Sequence, residues 1–190
     1  MSAYVVKITL RGISPMIWRR LRVLSSTSIA DLHDIIQIAM GWDDEYLHCF
    51  HIYGKDYGVA YDGGMNFSDN PHDVTLDDFT FDTGDRFSYC YNFYDHWLCD
   101  IRIEDIQLNT KLSAPKCTGG QGRFVNNTPC YRGDEALALI DVLDAIFNGD
   151  EATTTVGDVR GLIEFYEAKR FDRSAINTCL KKPLGDLGLS

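Results

Sequence analysis

The stretch from Arg86 to Glu104 constrains the fold more than any other part of the chain. Phe87, Tyr89, Tyr91 and Phe93 alternate with Ser88, Cys90 and Asn92, and Cys99, Ile101 and Ile103 alternate with Asp100, Arg102 and Glu104. Successive side chains on a strand point to opposite faces, so each run has one apolar and one polar side. Asp95 and His96 fall where the chain must reverse. The pattern predicts an antiparallel hairpin with the four aromatics on one face. A lone hairpin is marginal in water, so this one needs more strands or a helix over its apolar side.

The N-terminal half supplies both. Tyr4, Val6, Ile8 and Leu10 alternate with Val5, Lys7 and Thr9, and Gly12 and Pro15 bracket a turn. Met16 to Val23 reads as a second strand, with Ile17, Leu21 and Val23 on one face and Trp18, Arg20 and Arg22 on the other. Ser28 can cap a helix carrying Leu32, Ile35, Ile36, Ala39 and Met40, closed by Gly41. His33 stands off that apolar stripe and is expected on the surface. Leu47 to Tyr53 reads as another strand.

Residues 62–85 hold seven Asp and no Lys or Arg, which predicts an exposed connection with one short strand near Val74–Leu76. Residues 113–133 read as a loop, from Pro115, Gly119, Gly120, Gly122, Pro129 and Gly133. Helical spacing returns from Asp134 through Phe147 and from Val156 to Tyr166, and Asp172 starts a short last helix through Ile176, Cys179 and Leu180. The fold class is therefore α+β: a mostly antiparallel sheet with one helix between early strands and a helical C-terminal segment. The expected organisation is one domain over residues 1–190, with the sheet and motif loop in 1–133 and the helices of 134–190 packed on it.

Composition narrows the function classes. The formal charge is −10 on 190 residues, yet residues 1–61 balance and the excess sits mainly in 62–85. A general nucleic-acid coat is disfavoured, while a local basic face remains open. No apolar run reaches the roughly 20 residues of a membrane span. The opening MSAYVVKITLRG alternates and reads as a strand rather than a leader, so a cytoplasmic chain with free thiols is expected. Cys49, Cys90, Cys99, Cys117, Cys130 and Cys179 include no C-x-x-C pair.

Three chemistries suit the residues present. The turn Tyr91-Asn92-Phe93-Tyr94-Asp95-His96-Trp97 offers an acid, phenols, an imidazole and an indole. With His48 and His51 on a nearby strand, Tyr91, Asp95, His96 and Trp97 form a candidate binding set for a protein partner or small ligand. Asp95 beside His96 would suit acid–base work if both were buried. His48, His51, Cys99, Cys117 and Cys130 form a candidate ligand pool for zinc or another transition ion, without the paired spacing of zinc motifs. Arg11, Trp18, Arg19, Arg20 and Arg22 interleave cations with an aromatic, as single-stranded nucleic acid prefers. No nucleophile elbow, HExxH or Walker loop is present, and no cofactor is identified by motif.

Ile13-x-Pro15-x-Ile17-Trp18-Arg19-Arg20, Leu32-His33, Ala39-Met40-Gly41-Trp42, Leu47-His48-x-Phe50 and Tyr91-x-Phe93-x-Asp95-x-Trp97 occur in this order. Together they resemble the open-reading-frame-three-like family named from an Ri plasmid. Its members also carry the name of a resolvase-like passenger protein of a transposable element. The resemblance covers residues 4–130 and touches Phe171-Asp172 and Ile176-Asn177-x-x-Leu180. It implies an α+β cytosolic domain and no particular reaction, and no serine context supports recombinase chemistry. The family usually has glycine where Tyr94 stands, histidine where Cys99 stands, and a P-P-E-D-C-G-G segment where Thr128-Pro129-Cys130-Tyr131-Arg132-Gly133 stands. The leading expectation is a non-catalytic binding or adaptor module. A metal-dependent enzyme and a nucleic-acid accessory protein of mobile elements are the alternatives.

Overall fold

In the computed structural model, residues 1–13, 16–60, 66–122, 124–125, 128–129 and 171–184 are described. The alternating N-terminal runs form β1 (Ala3–Leu10) and β2 (Trp18–Leu24), followed by α1 (Ile29–Met40). Next come β3 (His48–Ile52), β4 (Lys55–Tyr57), β5 (Arg86–Tyr91) and β6 (Trp97–Gln107). β7 (Lys116–Gln121), a two-residue ladder of β8 (Phe124–Val125) with β9 (Thr128–Pro129), and α2 (Arg173–Cys179) complete the order. The seven-stranded sheet runs β4-β3-β5-β6-β1-β2-β7, every neighbour antiparallel. Mostly antiparallel sheet with two helices makes the described residues an α+β arrangement.

The expected hairpin forms, with Tyr91 facing Trp97, Tyr89 facing Cys99 and Phe87 facing Ile101. Its apolar side joins Val6, Ile8, Leu21 and Ile103 under Leu32, Ile35, Ile36 and Ala39 of α1. Phe93 does not extend the aromatic face: it lies beyond the strand end, in the turn, and is exposed. Ser28 Oγ accepts the Asp31 amide at 3.0 Å and Gly41 closes α1 in the left-handed region, as the spacing predicted.

The acidic segment is anchored rather than a loose connection. Val74 and Pro71 carbonyls accept the Ile29 and Ala30 amides, two of the orphan donors at the start of α1. The expected strand near Val74–Leu76 reduces to a single bridge, Ser28 with Thr75, before a 3-10 turn over Leu76–Phe79. Leu76 and Phe81 reach the core while Asp73, Asp77, Asp78 and Asp82 stay exposed. Hydrogen bonds from Thr75 hold the Asp78 carboxyl below its ordinary range.

Part of the expected 113–133 loop is β7, the outer strand beside β2. Its glycines answer steric demands from elsewhere rather than a need to turn. A Cβ on Gly120 would lie 2.5 Å from the Phe171 ring, and one on Gly119 would lie 3.3 Å from Trp18. The predicted last helix forms as α2, with Asp172 Oδ1 accepting the Ser174 and Ala175 amides. Asn177 clamps α2 to β7: its Oδ1 accepts the Cys117 amide at 2.7 Å and its Nδ2 donates to the Cys117 carbonyl at 2.9 Å. The helices expected over 134–149 and 156–166 lie outside the described residues. Among those described, no helix is long and apolar enough to cross a membrane.

Candidate functional site

The motif residues meet where the C-terminal end of α1 packs on β3 and β5. Gln37 Nε2 donates to the Tyr89 hydroxyl at 2.9 Å. That phenol's own hydrogen is then free to donate to His33 Nδ1, 2.8 Å away. The other imidazole nitrogen, Nε2, lies 2.6 Å from Asp44 Oδ1, a carboxylate oxygen that accepts from it. The Asp44 amide donates to Gln37 Oε1 at 3.1 Å, which closes the circuit. Each of the four side chains in this ring finds a polar partner, as buried polar groups require. Asp44 holds a left-handed backbone conformation (φ 59°), which a short acid tolerates. Burial pushes the Tyr89 phenol well above its ordinary value, so it serves as a hydrogen-bond donor and not as a base.

His33 is thus a core residue, only 1% exposed, and not the surface residue its position off the stripe suggested. The sheet under α1 is wide enough to cover the flank as well as the stripe. His48 lies on His33, ring over ring, with centroids 3.5 Å apart and 14° between planes. Its Nε2 accepts the Val59 amide at 3.3 Å. Burial, then the facing His33, pushes the His48 pKa down to about 2. Trp42 follows directly after Gly41 and stacks on Tyr91, Trp97 and Tyr89, at 4.9, 5.5 and 6.4 Å between centroids. Gln37, Asp44 and the inward role of His33 do not stand out among the sequence motifs. The available signal was a polar pair at i and i+4, His33 and Gln37, inside an otherwise apolar helix.

The hairpin tip is rigid. Asn92 Oδ1 accepts the Tyr94 and Asp95 amides, both at 3.2 Å, and Asn92 Nδ2 donates to Asp95 Oδ2 at 2.8 Å. Asp95 and His96 both stand on the exposed turn, so the burial that acid–base work would need is missing. Tyr94 is 96% exposed, Phe93 36% and Tyr46 40%. Tyr46 sits at the base of the turn, 5.8 Å from Tyr91 and 6.5 Å from Trp97.

The other candidate sets disperse. On β3 the alternation puts His48 inside and His51 outside, where His51 Nδ1 meets Asp56 Oδ1 at 2.7 Å. Cys99 and Cys117 are buried in the core, and Cys130 lies outside the described residues. Burial raises the Cys99 and Cys117 thiols, and pushes Cys49 up to about 12, which suits packing rather than nucleophilic attack. His33, Asp44 and His48 do bring donor atoms within 4.8 Å of one another. Two imidazoles stacked in nearly parallel planes 3.5 Å apart keep their in-plane lone pairs in separate planes, however. A single ion would lie out of the plane of at least one ring, and it would have to break the His33–Asp44 bond. As arranged, the trio does not fit a metal.

The arginines do not form one basic face. Arg11 pairs with Asp100, and Arg20 pairs with Glu104 beneath Trp18. Arg19 points into the core at 1% exposure, donating to the carbonyls of Ala39, Trp18 and Gln121 with its guanidinium over Phe171. Arg22 is set apart, at a groove beside β7.

Comparison with known proteins places this arrangement. The chain is 33% identical over 107 residues to the uncharacterized protein y4hQ of Sinorhizobium fredii (strain NBRC 101917 / NGR234), spanning 54% of each chain, so it covers about half the length of that curated relative. It also resembles the crystal structure of a protein of unknown function, MM3350 from Methanosarcina mazei Go1, with a TM-score of 0.60 and 30% identity over 73% of this chain and 81% of that one. The model of the plasmid pRiA4b ORF-3-like protein family matches residues 2–174, the residues that build the ring, the stack and the hairpin, and the chain belongs to that family.

Proposed function

We propose that the chain is a non-catalytic binding module that recognises a polypeptide partner through the hairpin tip. One observation carries this reading: the polar motif groups close on one another inside, while the aromatics of the tip point out. A fixed turn presents Phe93 and Tyr94, and Tyr46 flanks it at the base. Exposed aromatics held at low entropy cost are the side chains that dominate protein interfaces. The tip's exposed acids, Glu45 and Asp95, favour a partner segment that combines a basic with an apolar residue.

A random peptide library displayed on phage and selected on the immobilised protein tests this. Selected sequences should carry basic and apolar residues, and should bind Tyr94→Ala about tenfold or more weakly while its melting temperature stays put. Failure to enrich any sequence, or equal binding to the variant, would remove the tip as the recognition surface. The stacked pair also predicts substoichiometric zinc, iron, nickel and manganese in protein purified without chelator. A full equivalent of one metal that disappears in His48→Gln would replace this reading with a metal centre.

A further inference from the structure

Away from the tip, β2, the β6–β7 connection and α2 enclose a groove of about 730 Å³. Arg22, Lys111, Lys116 and Lys181 line it, and no carboxylate is among its described lining residues. We propose that this groove binds a small phosphorylated ligand of nucleotide size. The volume lies within the range of small-molecule sites, roughly 300–1,000 Å³.

Arg22 is a basic residue of β2 that meets no carboxylate among the described residues. Its neighbours on the strand are committed, Arg20 to Glu104 and Arg19 to three carbonyls. Arg22 Nη2 donates to Thr110 Oγ1 at 3.2 Å, while its Nε is buried with no acceptor among the described residues. In the β2–β7 register Arg22 stands directly opposite Lys116, a cross-strand pair of like charge. Such pairs cost stability unless an anion lies between them. A guanidinium beside ammonium groups is the donor set that phosphate oxygens use, the arginine fork fixing direction and the lysines adding charge.

The groove is built before any ligand arrives. The Asn177 clamp on Cys117 fixes α2 against β7, setting the position of Lys181. Thr110 Oγ1 accepts from Arg22 and from the Leu112 amide at 3.2 Å, so its hydroxyl hydrogen is left for a ligand oxygen. Leu112, Ala114 and Pro115 add an apolar wall against which a base or similar body can lie. All of this sits on a chain of net charge −10, where four clustered cations with no acid among the described lining residues stand out as a local reversal of sign.

Isothermal titration of the full chain with inorganic pyrophosphate, ATP, adenosine and a single-stranded oligonucleotide tests the assignment. Pyrophosphate and ATP should saturate one site and adenosine should not. The double variant Lys116→Ala/Lys181→Ala, both exposed lysines, should weaken ATP by about tenfold or more without lowering the melting temperature. Tyr94→Ala should leave ATP binding unchanged, which separates this site from the tip. No saturation by either phosphate probe, or ATP binding in the double variant within about twofold of the parent, overturns the proposal. Saturation by the oligonucleotide alone also overturns it, in favour of an extended polyanion.

Discussion

Replacing Trp42 with alanine is expected to lower the unfolding free energy by about 3–5 kcal/mol, the range for deleting a large buried aromatic. The indole touches both strands of the hairpin through Tyr91 and Trp97 and lies over Tyr89, which belongs to the polar ring. Its loss leaves a cavity that these rings, fixed by backbone pairing, can fill only in part. It also removes one of the contacts that hold the end of α1 against the sheet. Urea denaturation followed by far-ultraviolet circular dichroism measures the change. A loss below about 1 kcal/mol would mean the site collapses freely, and the stack would not be what joins helix to hairpin.

The second large effect is a dependence on pH that His48 alone should confer. Its pKa is about 2 in the folded chain, against roughly 6.5 when unfolded. Between those values the unfolded state binds a proton that the folded state refuses. Stability therefore falls as pH drops through and below 6.5, and the loss stops growing near pH 2. At pH 5 the contribution is about 2 kcal/mol, set almost entirely by the unfolded value because the folded pKa lies far below. Other groups contribute to the pH dependence of the whole chain, so the measurement is a difference. His48→Gln should show a shallower decline between pH 7 and pH 5 than the parent, by about that amount. Parallel curves would show that His48 accepts its proton in the folded state and that the stack over His33 tolerates charge.

Much of the fold was legible because it rests on local periodicity. The 2-residue alternation of β1, β5 and β6 and the capped stripe of α1 carry their structure in their own spacing. Most of the misreadings share a different cause: they depend on a partner distant in sequence. The glycines of β7 look like turn residues until Phe171 and Trp18 are seen to occupy the space of their missing side chains. Arg19 shares the inward parity of Ile17, Leu21 and Val23, but its charge argued for solvent. Three carbonyls that satisfy the guanidinium, one of them 102 residues away, explain how it stays inside. Of the candidate site, the hairpin motif was readable and the ring was not, because Asp44 and Gln37 acquire their meaning only when the helix end meets β5. His48 and His51 were grouped by proximity in sequence, and the strand separates them by face.

The clamp between Asn177 and Cys117 has a consequence for how the molecule meets its own copies. Among the described residues β7 is the outermost strand, and an outermost strand exposes amides and carbonyls to which a stray chain can add itself. A side-chain amide that offers one donor and one acceptor imitates the backbone of a missing neighbour and occupies the place where such an addition would start. At the far side β4 ends the sheet after three residues, too short to template a new strand. The sheet is thereby finished at both margins by different means, a borrowed carboxamide on one and brevity on the other.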